Sequence, residues 1–245
     1  MPTNGQNPRP DRVAGRQTRA SSIASTLREE IISGALNPNA KLNLEQLRDR
    51  FEISLSPLRE AISRLVAEGL VELEDQRGFR VAPVSVANLN EITLLRAELE
   101  TLALSQSIAN GDLDWEAAVT GAVYRLDRAS KGADKDDPHL AWWDALSDFH
   151  TNLLGSPNLP QLYKYTRILR HQMDRYTKVL VVFDPKTCSL KAAEYKAIAE
   201  AAIARDEPLA TALLSAQIRR SGKDLKAALD AYLTETPPNS ESQVV

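Results

Sequence analysis

The chain has 245 residues, 43% hydrophobic and 26% charged, with a formal net charge of −3; at about 150 residues per domain this is ordinary globular material for one or two domains. The slight acidity excludes a uniformly basic nucleic-acid binder, and the longest apolar run, Val179-Leu180-Val181-Val182-Phe183, is far short of the roughly 18 residues that suggest a membrane span. A single Cys188 excludes an internal disulfide framework and a multi-cysteine zinc site.

Residues 1–17 contain Pro2, Pro8 and Pro10 but no apolar core of the kind a secretory signal needs. They read as a disordered arm, and the lone cysteine fits a cytoplasmic protein. From Ser21 to Gly34, Ile23, Leu27 and Ile31 recur every four residues, which predicts a helix stopped by the glycine. Asn43 is suited to cap a short helix over Leu44–Phe51. Ser56 as cap and Pro57 as first helical residue predict a third helix running to Glu68, with Leu58, Ile62 and Leu65 on one stripe. Two β-favouring runs follow, Leu70–Leu73 and Phe79–Ala82, joined by a turn ending in Gly78.

Three helices and a two-stranded wing make a winged helix-turn-helix, bounded at 18–83. A connector at 84–87 leads into helix-period patterns near 88–109, 114–131, 138–154, 159–183, 187–206 and 208–233. The fold class is therefore mainly α: the winged domain, then an all-helical bundle of about six helices over 88–233. Residues 234–245, with Pro237 and Pro238, read as a disordered tail.

Charge divides along the same line. Residues 1–85 hold 12 Lys and Arg against 11 Asp and Glu, while 86–245 hold 18 against 22. Every cation before residue 86 except Lys41 is arginine, the better reader of phosphate and guanine. At 100° per residue, Ser56, Arg59 and Ser63 lie off the apolar stripe of the third helix, so hydroxyls and a guanidinium face outward near its N-terminus. That set suits insertion into the major groove. Arg48, Ser54, and Arg77 with Gly78 at the wing tip complete the candidate DNA-binding residues. Solvated surface charge is the competing reading for each arginine alone; the ordered combination favours double-stranded operator DNA.

The runs Leu27–Leu36, Ser56-Pro57-Leu58-Arg59-Glu60-Ala61, Ala67-Glu68-Gly69-Leu70-Val71 and Arg77–Ala82 resemble the DNA-binding domain of GntR-family transcription regulators. Relatives commonly carry an arginine where this chain has Leu55, so the resemblance implies operator reading that leans on Arg59, Ser54, Ser56 and the wing. The remainder resembles the helical effector-binding and dimerisation domain called FCD, of the FadR subfamily. The resemblance rests on Leu95–Glu100, Phe149–Leu154 with Ser156-Pro157-Asn158-Leu159, Tyr195–Ile198, Ala204-Arg205-Asp206 and Gln217-Ile218-Arg219.

Many FCD domains hold a divalent metal with an aspartate and three histidines. Carried over to this sequence, the resemblance places His150 at one histidine, but Leu146, Tyr195 and Gln217 at the other three positions. Asp148 and Asp144 sit about 200° and 240° around the helix from His150 and do not repair the set. His171 is a candidate to reach the same cavity, though two histidines alone are a poor site. No metal and no cofactor are therefore expected. His150 is either a satisfied bundle histidine or part of a polar cavity with Tyr195 and Gln217. In the second reading Arg96, with a protonated His150, pairs with a ligand carboxylate, and Arg175 is a lesser candidate for that cavity. A structural ion pair of Arg96 with Glu100, or with Glu98 of a second copy of the chain, is the alternative. Of Trp142 and Trp143, one is core and the other a wall.

No nucleophile elbow, phosphate-cradling glycine loop or His-Glu-x-x-His occurs, and Ser147 three residues before His150 rules out a Glu-x-x-His di-metal pair. The chain is not expected to be an enzyme. The expected function is a homodimeric, sequence-specific regulator whose operator affinity responds to a small organic anion. The alternatives are a regulator holding a divalent metal through His150 and unconventional ligands, and one whose helical domain only makes dimer or partner contacts.

Overall fold

The computed structural model describes residues 18–132, 137–155, 158–180 and 184–235. The expected arm at 1–17 lies outside the described residues, as does the expected tail at 234–245 except for Thr234 and Glu235, which are the last helical residues of the bundle and not tail.

Thr18 caps α1 (Arg19–Ser33), its Oγ1 accepting from the Ser21 N–H at 3.2 Å. Gly34, at φ 81°, takes the left-handed position that ends the helix. Asn43 caps α2 (Leu44–Phe51) with its Oδ1 2.9 Å from the Glu45 N–H. The helix α3 spans Leu55–Ala67, and its N-cap is Ser54 rather than Ser56. The first-turn N–H groups of a helix lack intrahelical partners, so Pro57 is tolerated as the third helical residue and does not have to be the first.

The wing carries one strand more than expected. β1 (Lys41–Leu42), β2 (Val71–Glu74) and β3 (Gly78–Val81) form an antiparallel sheet in the order β1-β3-β2. Lys41 and Leu42 pair with Arg80 and Phe79, and Val71 through Glu74 pair with Val81 through Gly78. A two-residue strand is too short to show alternation, so β1 left no signal in the sequence. Leu27, Ile31, Leu47, Leu58, Ile62, Leu65, Leu70 and Val81 close the core of this domain. A two-pronged Arg28–Glu68 ion pair, both contacts 2.7 Å, ties α1 to the end of α3.

The remainder is helical: α4 (Val86–Asn110), α5 (Leu113–Ser130), α6 (Pro138–Leu154), α7 (Pro160–Leu180), α8 (Pro185–Ile203) and α9 (Glu207–Glu235). Phe149, Leu153, Ile198, Leu214 and Ile218 lie in the main apolar cluster of this bundle. α4 and α9 cross closely at Gly222, where a Cβ would stand 2.5 Å from the Thr93 side chain. A smaller cluster of Leu89, Ile92, Met173, Tyr176, Leu225 and Leu229 joins α4, α7 and α9.

The helix α7 also serves as the seat of the winged domain. Gln172 donates from Nε2 to the Glu68 carbonyl at 2.7 Å. Arg175 donates from Nη1 to the Ala82 carbonyl at 2.8 Å and from Nη2 to the Pro83 carbonyl at 3.2 Å. The Tyr176 hydroxyl donates to Asn88 Oδ1 at 2.8 Å and accepts from the Ser85 N–H at 3.2 Å. The close approach depends on Gly69: its φ is 68°, and a Cβ there would stand 2.4 Å from Gln172 Nε2.

Candidate functional site: a DNA-reading helix and a buried cationic cavity

Most arginines of the winged domain are already engaged. Arg28 is bound to Glu68, Arg50 to Glu30, Arg64 to Glu60 and Ser21, and Arg80 to Glu74. Arg48 donates to the neighbouring Asp49 at 2.9 Å, and that contact raises its pKa. Arg59 and Arg77 are exposed, and their side chains make no hydrogen bond or ion pair among the described residues. Ser54, Ser56 and Ser63 are exposed as well, so Ser54, Ser56, Arg59 and Ser63 present a hydroxyl–guanidinium face from the start of α3. Leu55 is 38% exposed on the same end.

Arg77 sits in a three-residue loop, Asp75-Gln76-Arg77, between the paired Glu74 and Gly78. The Gln76 and Gly78 backbones both have positive φ, 62° and 89°. Nothing lies within 4 Å of where a Gly78 Cβ would be. Its glycine therefore serves the backbone angle and not the space. Arg19 and Lys41 are further exposed cations without a partner among the described residues. Sequence reasoning missed them because a surface cation carries no signal of whether a carboxylate will reach it.

The helical domain brings Arg96, His150, Tyr195 and Gln217 to one enclosed cavity of about 40 Å³, walled also by Trp142, Trp143 and Leu146. The expected convergence of three helices on His150 is present. Two internal contacts bear on the expectations: the first removes the need for a guest, and the second is the Arg96–Glu100 ion pair that stood as the alternative reading. First, Gln217 Nε2 donates to the Tyr195 hydroxyl at 3.0 Å, so these two groups satisfy each other and require no guest. Second, Arg96 is locked onto Glu100 by contacts of 2.6 and 3.3 Å. Burial opposes the charge of Arg96, but attraction and hydrogen bonding from Glu100 outweigh it and raise the guanidinium's pKa.

The unsatisfied groups are elsewhere. His150 is 2% exposed and its Nδ1 has no hydrogen-bond partner. Arg170, on α7, has a side chain only 12% exposed; its Nη1 stands 3.8 Å from Glu100 Oε2 and makes no hydrogen bond. Burial first, then the nearby Arg170 and Arg96 charges, hold the His150 pKa well below its ordinary value. The imidazole is thus neutral, and the expectation of a protonated His150 is corrected. Burial raises the Tyr195 hydroxyl to about 12 against the opposing pull of Arg170 and Arg96, so it too is neutral.

Two guanidiniums therefore share one fully buried carboxylate, Glu100, with Asp174 half-buried at the cavity edge. Sequence reading chose Arg175 on α7 and overlooked Arg170. Five helical residues separate them, about 140° of rotation, so the two cannot face one cavity. Arg175 is turned to the connector carbonyls instead. No local pattern marked Arg170, because which face of α7 meets His150 is set by packing. His171 lines a second cavity of about 50 Å³ on the far side of His150, not the cavity with Tyr195 and Gln217.

A metal does not fit this donor set. Leu146 is apolar, Tyr195 and Gln217 are neutral and bonded to each other, and no group of three or more His, Cys, Asp or Glu is placed to hold an ion among the described residues. Nor is any helix among them long and apolar enough to cross a membrane.

Comparison with known proteins agrees with this architecture. Residues 19–81 match the family of bacterial regulatory proteins called gntR, and residues 91–220 match the FCD domain. The chain is 33% identical over 211 residues to the uncharacterized HTH-type transcriptional regulator BphR of Paraburkholderia xenovorans (strain LB400), covering 85% of this chain and 86% of that one. It is 31% identical over 192 residues to the HTH-type transcriptional repressor GlaR of Escherichia coli (strain K12), covering 77% and 87%. The solved structure of E. coli McbR/YncC superposes with a TM-score of 0.72 at 21% identity, covering 88% of this chain and 99% of that one. The chain is a DNA-binding transcriptional regulator of the GntR family, with an N-terminal helix-turn-helix and an FCD effector domain, and not an enzyme.

Proposed function

We propose that this regulator is a cytoplasmic, FadR-type homodimer that senses a small organic anion without a metal and reads a palindromic operator. The observation that carries the anion is the pair of buried nitrogens without a hydrogen-bond partner, His150 Nδ1 and Arg170 Nη1, whose side chains line the same cavity. Leaving a buried polar group unbonded costs about 1–3 kcal/mol, more when it is charged. A carboxylate supplies two acceptor oxygens and a compensating charge at once. Arg96, His150, Tyr195 and Gln217 form the remaining wall; Arg96 acts through Glu100, and Arg175 is left out of the contact set.

On the DNA side, Arg59 and the serines 54, 56 and 63 read bases and phosphates, and Arg77 with Gly78 reaches a neighbouring phosphate or groove. Arg48 contributes once it exchanges Asp49 for a phosphate. Two-fold pairing doubles these few contacts, which single winged domains need for selectivity. Calorimetry of small carboxylates in the presence of EDTA tests the anion reading. Binding that survives the chelator and weakens at least tenfold in Arg170→Met is expected. Binding lost to EDTA and restored by zinc or nickel, or unchanged in Arg170→Met, overturns it.

A further inference from the structure

The cavity beside His150, about 40 Å³, holds an anionic head and little more; pockets for whole small molecules run to about 300 Å³ and above. A third cavity of about 320 Å³ adjoins it, with Trp143, Leu146, Arg170 and Asp174 as walls common to both. This larger cavity lies between the domains: Ser25, Arg28, Glu29 and Ile32 of α1 close it from the winged-helix side.

Its chemistry differs from that of the small pocket. Arg28 is already taken by Glu68. Arg167, Arg170 and Lys178 face Glu29, Asp144 and Asp174 around the wall, so formal charge is balanced and a second anionic group gains nothing. Ile32 is 6% exposed, yet it lies outside the winged domain's own apolar cluster. Across from α1, the Trp143 indole is held by its Nε1 donating to His139 Nε2 at 3.0 Å, with Lys178 Nζ 5.7 Å from the ring centre. Ile32 and Leu146 are nearly closed off, so the half-buried Trp143 indole is the main apolar face the cavity offers, and the other walls are polar or charged.

We propose that the effector is a monocarboxylate with an uncharged body that has a flat face for the Trp143 indole, which passes Arg170 and occupies the interdomain cavity against α1. The carboxylate meets Arg170 and His150, and the body meets Trp143 and α1. The ligand then touches both domains directly, so that its shape bears on where the winged domain sits. This inference rests on the anion reading above and adds the body and its place.

The test compares two acids that share a carboxylate and differ in body, acetate and phenylacetate, by calorimetry on the full chain with EDTA present. Phenylacetate is expected to bind at least tenfold more tightly than acetate. Ser25→Phe, which fills the cavity from α1 and lies outside the small pocket, is expected to erase that advantage while leaving acetate affinity within twofold; Trp143→Ala, which removes a wall common to both cavities, is expected to weaken phenylacetate more than acetate and so to erase the advantage as well. Equal affinity for the two acids in the parent protein, or an advantage that survives both variants, overturns the interdomain body and leaves the anion reading standing. Failure of both acids to bind, or binding indifferent to Arg170→Met, overturns the anion reading and this inference with it.

Discussion

Arg59 and Arg64 make an internal comparison on one helix. Both are exposed arginines of α3, but Arg64 is held by Glu60 at 2.6 Å and by Ser21 at 2.7 Å, while Arg59 makes no such contact. An arginine already neutralised by its own chain must break those contacts before it can take a base or phosphate. Arg59→Ala is therefore expected to weaken specific operator binding by roughly 1–3 kcal/mol and relax preference at one base position. Arg64→Ala is expected to change affinity by less than half of that. A mobility-shift titration of both variants against operator and scrambled DNA distinguishes them, and equal losses in the two remove Arg59 as a base reader. At this scale the sequence separates the two only in part: Glu60 stands four residues before Arg64 while Arg59 has no acid three or four residues away, but the Ser21 contact depends on how α1 packs. The same dependence on packing concealed Arg170. Which face of α7 points at His150 is fixed by the packing of α4, α7 and α9 and not by the composition of α7.

The helix α7 is the element where most of this protein's less ordinary contacts meet. Its helical character was legible from periodicity, as were all the other helices to within a few residues. Its second role was not, since a polar residue such as Gln172 bonding a backbone carbonyl 104 positions away has no local pattern. Gly69 is the test of that contact. Gly69→Ala must place an L side chain at φ 68° and also displace Gln172. The left-handed backbone alone costs about 1–2 kcal/mol, and loss of the Gln172 hydrogen bond adds about 1 kcal/mol. In urea unfolding the single variant is expected to lose 2–3 kcal/mol by those sums. In a Gln172→Ala background, Gly69→Ala is expected to cost only the backbone share. Strict additivity of the two substitutions would show that Gly69 does not make room for Gln172.

His171, one residue away, gives α7 a pH dependence. It faces Arg28, Glu68, Asp174 and Arg167, and burial is the main cause that lowers its pKa to about 4. An unfolded histidine titrates near 6.5. Because the folded value is the lower one, the unfolded chain binds the extra proton first as pH falls. The stabilisation is complete above pH 6.5, declines between 6.5 and about 4, and is constant below. The slope is at most about 1.4 kcal/mol per pH unit, reduced by the partial exposure of the ring. The parent protein is expected to lose about 1–2 kcal/mol more than His171→Gln on going from pH 7 to pH 5. Parallel stability–pH curves for the two proteins would exclude His171 as the source.

Across the whole molecule, the operator-reading face and the cavity are joined through one short path. Arg170 lines the cavity; Gln172 and Arg175, on the same helix, hold the end of α3 and the strand leading out of the wing. On the proposed reading, a guest that pulls on Arg170 acts on a rod fastened to the winged domain and is expected to favour one placement of that domain over another. Coupling free energies of this kind are typically 1–3 kcal/mol. Arg175 is the fastening whose removal should separate the two functions. It is 1% exposed, holds the Ala82 and Pro83 carbonyls, and takes no part in the cavity. Arg175→Met keeps the apolar stem, and it gives up both hydrogen bonds. The variant is expected to bind carboxylate and operator separately with affinities within about threefold of the parent, while the change in operator affinity on adding the acid shrinks at least fivefold. Arg175→Lys, which restores a single donor, is expected to fall between them. Operator titrations with and without saturating acid measure this directly, and a ligand effect of full size in Arg175→Met would place the coupling outside the α7 clasp.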